Sequence, residues 1–334
     1  MDNISIIEVF ISGRRIGRMA LTPEGMCGFE YDADWIQTGF SISPFYLPLK
    51  SGLIMAKRDP FGGNFGVFDD SLPDGWGNLL LDRYLQERGI DPYKLNILER
   101  LSLIGSTGRG ALEYYPDKSV VTDAEYLNFD SLAKEVAKIL ESKESKGSVD
   151  LLYKYGGSSG GARPKVFTKV DGREWLVKFK ATNDPADVGE IEYNYSLLAR
   201  DCGIRMAETR LFDNRYFGVE RFDRAPQGKI HTVSAAGLLH ANYRIPSLDY
   251  SILLKLTLNL TKDMEQVAEM FRLMVFNVLI SNRDDHAKNL SFQWANGAWK
   301  LSPAYDLLPS NGFNGYHTTC LLYTSPSPRD RTRS

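Results

Sequence analysis

Cysteine is scarce in this chain: Cys27, Cys202 and Cys320 are the only three in 334 residues. Odd in number and widely separated, they argue against a disulfide framework or a thiolate metal site and fit a reducing, cytoplasmic setting. An excess of charge of one sign is also missing, because 40 Lys plus Arg face 42 Asp plus Glu. Without a basic footprint the chain is not expected to grip nucleic acid directly, so any DNA contact should run through a partner. Long apolar runs are absent too. The longest, Phe271 to Ile280, is too short to span a bilayer, and Met1-Asp2-Asn3-Ile4-Ser5 shows no basic segment leading into an apolar one, so no membrane association is expected. What is present is an ordinary globular mixture, 43% hydrophobic and 25% charged, long enough for two domains with real cores.

The first fifty residues alternate short β-rich runs (Ile4 to Ile11, Ile16 to Leu21, Met26 to Tyr31) with turn signals, which predicts a small, mainly antiparallel module. A helix is expected over Asp74 to Arg88, ended by Gly89 in a left-handed cap, and another near Ser131 to Ser142. Glu141 to Gly147 is polar without apolar period and reads as an exposed loop. Three hairpins follow from two-residue turn chemistry: Asp171-Gly172 between Lys165–Val170 and Glu174–Lys180, Asp213-Asn214 between Thr209–Leu211 and Tyr216–Glu220, and Asn296-Gly297 between Leu290–Trp294 and Ala298–Leu301. Between the first two, Asp184 is expected to cap a helix with Pro185 at its first position and Val188, Ile191, Tyr195 and Leu198 as its stripe. Before the third, Val267, Met270, Phe271, Met274, Val278 and Leu279 predict a core helix that delivers Ser281 to Asn289 at its end.

Phosphoryl transfer from ATP needs backbone amides over the phosphates, a lysine on them, oxygen ligands for Mg²⁺ and a group that accepts the substrate hydroxyl proton. The chain supplies candidates in that order. Gly156-Gly157-Ser158-Ser159-Gly160-Gly161 precedes the first hairpin, and its small residues would let backbone N–H groups approach a phosphate, although such a cluster is more often a plain flexible loop. Lys178 alternates with Val177 and Phe179 on the next strand, and Glu190 or Glu192 on the following helix could hold it. Asp284 and Asn289 have the D-x-x-x-x-N spacing of a kinase catalytic loop, and Asp306 follows the third hairpin where kinases place a Mg²⁺-binding aspartate. A hydrolytic metal site built from Asp284, Asp285, His286 and Asp306 is the competing reading of these residues, but it leaves the glycine run and Lys178 without a role.

The strings SNRDDHAKNLSF, LSPAYDLLPS and FGVERFDR resemble the catalytic, metal and hinge motifs of the HipA family of serine/threonine kinases. FEYDADWIQTG, SISPFYLPL and SLPDGWGNLLLDRYL are similar to that family's N-terminal subdomain, so the resemblance covers Ile4 to Thr319. It implies an α+β protein with a two-lobed, protein-kinase-like fold and an N-terminal β-rich subdomain, using ATP and Mg²⁺. Carried over by motif, Asp284 is the base, Asn289 and Asp306 the metal ligands and Lys178 the phosphate lysine. Gly160, Gly161, Ala162, Arg163, Pro164 and Lys165 cover the phosphates, Glu220, Arg221 and Phe222 form the adenine-side hinge, and His286, Ala287, Lys288 and Tyr305 complete the nucleotide site. The family's loop carries an inactivating autophosphorylation serine; Ser158-Ser159-Gly160-Gly161 departs from its usual Ser-Ile-Ala-Gly, with Ser158 favoured as acceptor and Ser159 the alternative.

The resemblance further implies a toxin that phosphorylates a protein such as an aminoacyl-tRNA synthetase, restrained by a HipB-like antitoxin through which alone it meets DNA. Two rivals stand beside it: a small-molecule phosphotransferase of the same fold, and a non-catalytic regulator that only binds an antitoxin. The expected organisation is an N-terminal subdomain over 1–100, a catalytic domain over 101–319 lacking the family's last helical part, and a non-native, adapter-like tail over 320–334. A lobe shortened in this way would leave apolar surface open to solvent.

Overall fold

The alternating runs of the first hundred residues form an antiparallel sheet in the computed structural model, which describes residues 4–120, 128–141, 147–245, 248–311 and 317–319. Strands β1 (Ile6–Ile11), β2 (Arg14–Leu21) and β3 (Cys27–Tyr31) lead into helix α1 (Ala33–Thr38), whose first turn is capped by the Asp32 side chain on the Asp34 amide. Along β1 the period of two buries Ile7, Val9 and Ile11 and leaves Ile6 exposed. Short strand β4 (Ile54–Met55) and helices α2 (Gly66–Asp69), α3 (Gly75–Gln86) and α4 (Ile97–Ile104) follow, α4 opening on an Asn96/Glu99 capping box. Strand β5 (Leu112–Tyr115) then returns to pair with β1, giving the order β4-β3-β2-β1-β5. The N-terminal unit therefore runs past the boundary expected at residue 100.

After α5 (Phe129–Glu141) and α6 (Ser148–Gly156) comes a second antiparallel sheet, β6 (Lys165–Val170), β7 (Arg173–Lys178), β8 (Thr209–Phe212) and β9 (Tyr216–Glu220), in the order β6-β7-β9-β8. Its two tight turns hold Asp171 and Gly172 at φ 52° and 76°, and Asp213 and Asn214 at 49° and 53°, the left-handed pairs that their residue types tolerate. Helix α7 (Val188–Asp201) starts later than expected. Asp184 instead binds the Ala181 amide and pairs with Arg163. The buried face of α7 is Gly189, Glu192, Ser196 and Ala199, whereas Leu198 of the expected stripe is 44% exposed. The helix turns small and polar residues inward because Glu192 has an ionic partner beneath it.

The helical lobe comprises the short strands β10 (Arg224–Ala225) and β11 (Gly228–Lys229), then β12 (His231–Ser234), α8 (Ala235–Leu239), α9 (Tyr250–Thr261), α10 (Met264–Leu279), β13 (Ser291–Ala295) and β14 (Ala298–Leu301). The Asn296-Gly297 hairpin forms as expected, and β12 joins it in a three-stranded sheet. Helix α10 buries Met270, Leu273 and Phe276, while Phe271 and Leu279, which the sequence reading placed in the core, are 52% and 78% exposed. Both faces of this helix are apolar, so periodicity could not choose between them.

Two hydrophobic cores result. One joins the first sheet to the helical lobe, through Ile7, Phe29 and Phe68 with Val233, Leu253 and Phe292; the other joins α3, α5 and α6 to the second sheet, through Trp76, Leu80, Leu152 and Val177. The N-terminal unit thus packs on both lobes. No helix among the described residues is long and apolar enough to cross a membrane. The expected tail at 320–334, and 142–146 of the expected loop, lie outside the described residues.

Candidate functional site

A cleft of 1580 Å³ opens between the second sheet and the helical lobe. Of the residues singled out from sequence, Ser158, Gly160, Gly161, Ala162, Arg163, Lys165, Lys178, Glu220, Arg221, Phe222, Asp284, His286, Lys288, Asn289, Tyr305 and Asp306 all line it. Pro164 and Ala287 do not. The Pro164 carbonyl is taken by the Phe179 amide at 2.8 Å, and Ala287 is buried in the core of the helical lobe.

Strand alternation aims Lys178 into the cleft, where its ammonium meets the carboxylates of Glu192 and Asp306. Burial alone would lower its pKa, but the Asp306 and Glu192 charges outweigh that and hold it well above the ordinary lysine value. Of the two glutamates weighed from sequence, Glu192 is the partner and Glu190 is exposed. Burial likewise pushes against an ionised Asp306, yet Lys178 and Lys165 keep its carboxyl far below the usual range. Asp306 sits at φ 55°, a left-handed conformation that a non-glycine residue adopts at some cost in sites where side-chain direction matters.

The segment after α10 is pinned from several sides. Asn282 donates to Asn277 Oδ1 at 3.0 Å and to the Asp306 carbonyl at 3.1 Å, tying the catalytic-loop candidate to the metal-site candidate. Asn289 Nδ2 donates to the Asp284 carbonyl at 2.8 Å, so the D-x-x-x-x-N spacing closes a single turn of chain and leaves the Asn289 amide oxygen as that side chain's acceptor. The Asp284 carboxylate, with its side chain 58% exposed, faces the cleft 3.7 Å from His286 Nε2. Burial of the site raises its pKa, with Asp306 adding to the effect and His286 and Arg163 opposing it. Asp285 points the other way. Its carboxylate is wholly buried and accepts from Tyr250 Oη at 2.8 Å and from the Thr318 and Thr319 amides at 2.9 and 3.1 Å. A hydrolytic metal set containing Asp285 is therefore not assembled, and no group of three or more His, Cys, Asp or Glu side chains placed to hold a metal by themselves occurs among the described residues. Asp284, Asp306 and the Asn289 oxygen are hard oxygen donors of the type Mg²⁺ takes alongside phosphate oxygens.

The glycine run crosses the top of the cleft. Lys165 is buried beneath it and donates to the Gly160 carbonyl, its pKa pulled down to about 8 chiefly by burial. Arg163 is engaged by Asp184 at 3.1 Å. Ser158 faces the cleft and donates to the Thr107 carbonyl at 3.1 Å, whereas Ser159 is 0% exposed and donates inward to the Gly156 carbonyl at 2.6 Å. At the hinge, the Phe222 and Tyr305 rings lie 5.4 Å apart at 29°, and the Phe222 carbonyl accepts from Gln293 Nε2.

Sequence reasoning missed what the N-terminal unit brings to this cleft. Asp74 accepts from the Gly161 amide and lies 3.2 Å from Lys288 Nζ. Arg109 donates to Tyr305 Oη at 2.8 Å and to Ser291 Oγ. The Trp76 amide donates to the Gly161 carbonyl at 3.0 Å, and its indole to the Lys165 carbonyl at 3.2 Å. A Cβ on Gly75 would lie 2.6 Å from the Gly161 oxygen, and one on Gly77 2.2 Å from the Ser159 oxygen, so both glycines permit the close seat of α3 against the loop. The only sequence sign was SLPDGWGN, noticed as part of the N-terminal resemblance without a role.

Comparison with known proteins follows the same division. Residues 7–115 match the model of the HipA N-terminal domain, and residues 157–329, just over half the chain, match the HipA-like C-terminal domain. The chain belongs to the HipA family. A Sinorhizobium fredii protein named "Putative kinase Y4dM" is 25% identical over 345 residues, covering 92% of this chain and 78% of that protein. The Escherichia coli toxin YjjJ is 29% identical over 169 residues, covering 46% of this chain and 38% of the toxin. Among solved structures, HipA of Shewanella oneidensis, in a complex with HipB and operator DNA, matches with a TM-score of 0.68 at 19% identity, covering 93% of this chain and 78% of that one. The fold of this HipA-family chain is accordingly the kinase-like α+β arrangement.

Proposed function

We propose that the cleft binds Mg²⁺ and ATP and passes the terminal phosphoryl group to a serine or threonine of a protein. The observation that carries this reading is convergence: a lysine paired with a helix glutamate and with Asp306, a loop holding Asp284 and Asn289, and a glycine run above them all meet in one cavity. Asp284 is the acceptor of the substrate hydroxyl proton, and its raised pKa, from desolvation by the cleft walls and the nearby Asp306 charge, makes it a stronger base than an ordinary aspartate. Lys178 would hold the phosphates, with Glu192 keeping its ammonium in place. Asn289 and Asp306 would hold Mg²⁺, which neutralises charge on the phosphates. The hinge and the Phe222 and Tyr305 rings offer walls for adenine. A cleft of 1580 Å³ exceeds the ~300–1,000 Å³ of a pocket for one small ligand, which leaves room for a second substrate beside the nucleotide.

Ser158 is the autophosphorylation acceptor in this reading, since it faces the cleft while Ser159 is sealed inside. The kinase name of the S. fredii relative, the toxin name of the E. coli relative and the HipB- and DNA-bound state of the S. oneidensis HipA support a toxin kinase held by a DNA-binding antitoxin. Intact-mass spectrometry after incubation with Mg²⁺ and ATP, beside Asp284→Ala, tests the chemistry. Phosphate on Ser158 in the parent and none in the variant is expected. Phosphate that persists in Asp284→Ala would sink the assignment of the base.

A further inference from the structure

We propose that Asp74 contests the subsite of ATP's terminal phosphate and so determines how the cleft discriminates ATP from ADP. The inference rests on the reading of the cleft as an ATP site and concerns a residue outside the lobes that form it.

Asp74 lies just before α3, yet its carboxylate reaches the cleft, with its side chain 12% exposed. One oxygen accepts from the Gly161 amide and the other sits 3.2 Å from Lys288 Nζ, itself 11% exposed. A glycine-loop N–H and a catalytic-loop ammonium are the donors that a phosphate oxygen would use, so the carboxylate fills an anion position. It is held there firmly: the Trp76 amide binds the Gly161 carbonyl at 3.0 Å, and Gly75 and Gly77 let the backbones of α3 and the loop touch. Asp70 is committed elsewhere, accepting from the Ser234 amide and hydroxyl at 2.6 and 2.8 Å, which leaves Asp74 as the carboxylate bonded directly to the loop.

The position of Lys288 decides which phosphate is contested. Lys178, on the second sheet, pairs with Asp306 and Glu192, and Lys165 donates to the Gly160 carbonyl, whereas Lys288 belongs to the loop that carries Asp284, adjoins Asn289 and is the lysine paired with Asp74. The phosphoryl group to be transferred must lie beside Asp284. Asp74 and the terminal phosphate therefore compete for the same two donors, and a nucleotide lacking that phosphate leaves Asp74 undisturbed.

Calorimetric titration of the full chain with the β,γ-imido analogue of ATP and with ADP, both with Mg²⁺, tests this in the parent, Asp74→Asn and Lys288→Met. Asp74→Asn keeps the shape and removes the charge, so the ATP analogue should bind about tenfold tighter while ADP stays within about twofold. Lys288→Met should weaken the analogue selectively. An analogue-to-ADP ratio unchanged in both variants, or an analogue that binds Asp74→Asn more weakly, would overturn the inference. A parent that binds neither nucleotide would instead overturn the ATP-site reading beneath it.

Discussion

Replacing Asp285 by alanine should destabilise the protein by about 3–5 kcal/mol without removing any group that faces the cleft. The Asp285 side chain is 0% exposed and accepts from Tyr250 Oη, the Thr318 amide and the Thr319 amide at 2.8, 2.9 and 3.1 Å, with His317 Nδ1 at 3.1 Å. Alanine leaves the two amides and the tyrosine hydroxyl short of an acceptor where water has little access. Each buried donor so stranded costs ~1–3 kcal/mol, and partial relaxation keeps the sum near the ~3–5 kcal/mol typical of a broken buried ionic contact. Asparagine keeps the shape and one oxygen but loses the charge and turns an amide toward donors, so roughly half that loss is expected. Urea unfolding of the parent and both variants gives the free energies, and amide exchange at Thr318 and Thr319 reports the contact itself. A loss under about 1 kcal/mol for Asp285→Ala, with both amides still protected, would refute the view that this carboxylate anchors the 281–289 loop to residues 317–319.

Lys178→Met leaves Glu192 and Asp306 without their shared cation, so phosphoryl transfer should fall about 10²-fold or more while the fold survives, a result checked by turnover beside circular dichroism. Gly77→Ala would set a Cβ 2.2 Å from the Ser159 carbonyl, and the forced shift should cost ~1–3 kcal/mol and loosen the glycine loop; a melting temperature equal to the parent's would count against the tight seat. His231 is buried with Nε2 2.9 Å from the Ile42 carbonyl, and burial pulls its pKa down to about 4. Between that value and the ordinary ~6.5 the unfolded chain takes up a proton that the folded one refuses, so stability rises with pH across this window and is lost on acidification, by up to ~3 kcal/mol. His231→Gln should remove that difference, seen by comparing denaturation of the two proteins at pH 7 and pH 5. Phe271→Lys with Leu279→Lys alters only the open face of α10, so stability in urea unfolding should change by less than about 0.5 kcal/mol; a loss above about 2 kcal/mol would show that this row is packed after all.

The comparison of sequence with structure turns on how far apart the deciding atoms lie along the chain. Asp171-Gly172, Asp213-Asn214 and Asn296-Gly297 bend the backbone through their own φ preferences, so those hairpins could be read directly. Asp284 and Asn289 are five residues apart and bond to each other, so their meeting in one loop is a local feature that spacing signals. Local pattern failed where two answers were locally equal. Both faces of α10 are apolar, and only packing against α9 and the third sheet sets which of them is buried. The inward face of α7 is not its most apolar one, because Lys178 on another element rewards the burial of Glu192. Adjacent aspartates took opposite fates, Asp284 turning to the cleft and Asp285 to the interior, since the donors on residues 250, 318 and 319 lie beyond any local window. By itself the sequence determined the hairpins, the Asp284–Asn289 spacing and the strand that carries Lys178, whose causes are local. The tertiary structure alone decided that Asp74 reaches a glycine 87 residues away and a lysine 214 residues away. Contacts of that separation depend on the packing of whole elements, which no short stretch of residues encodes.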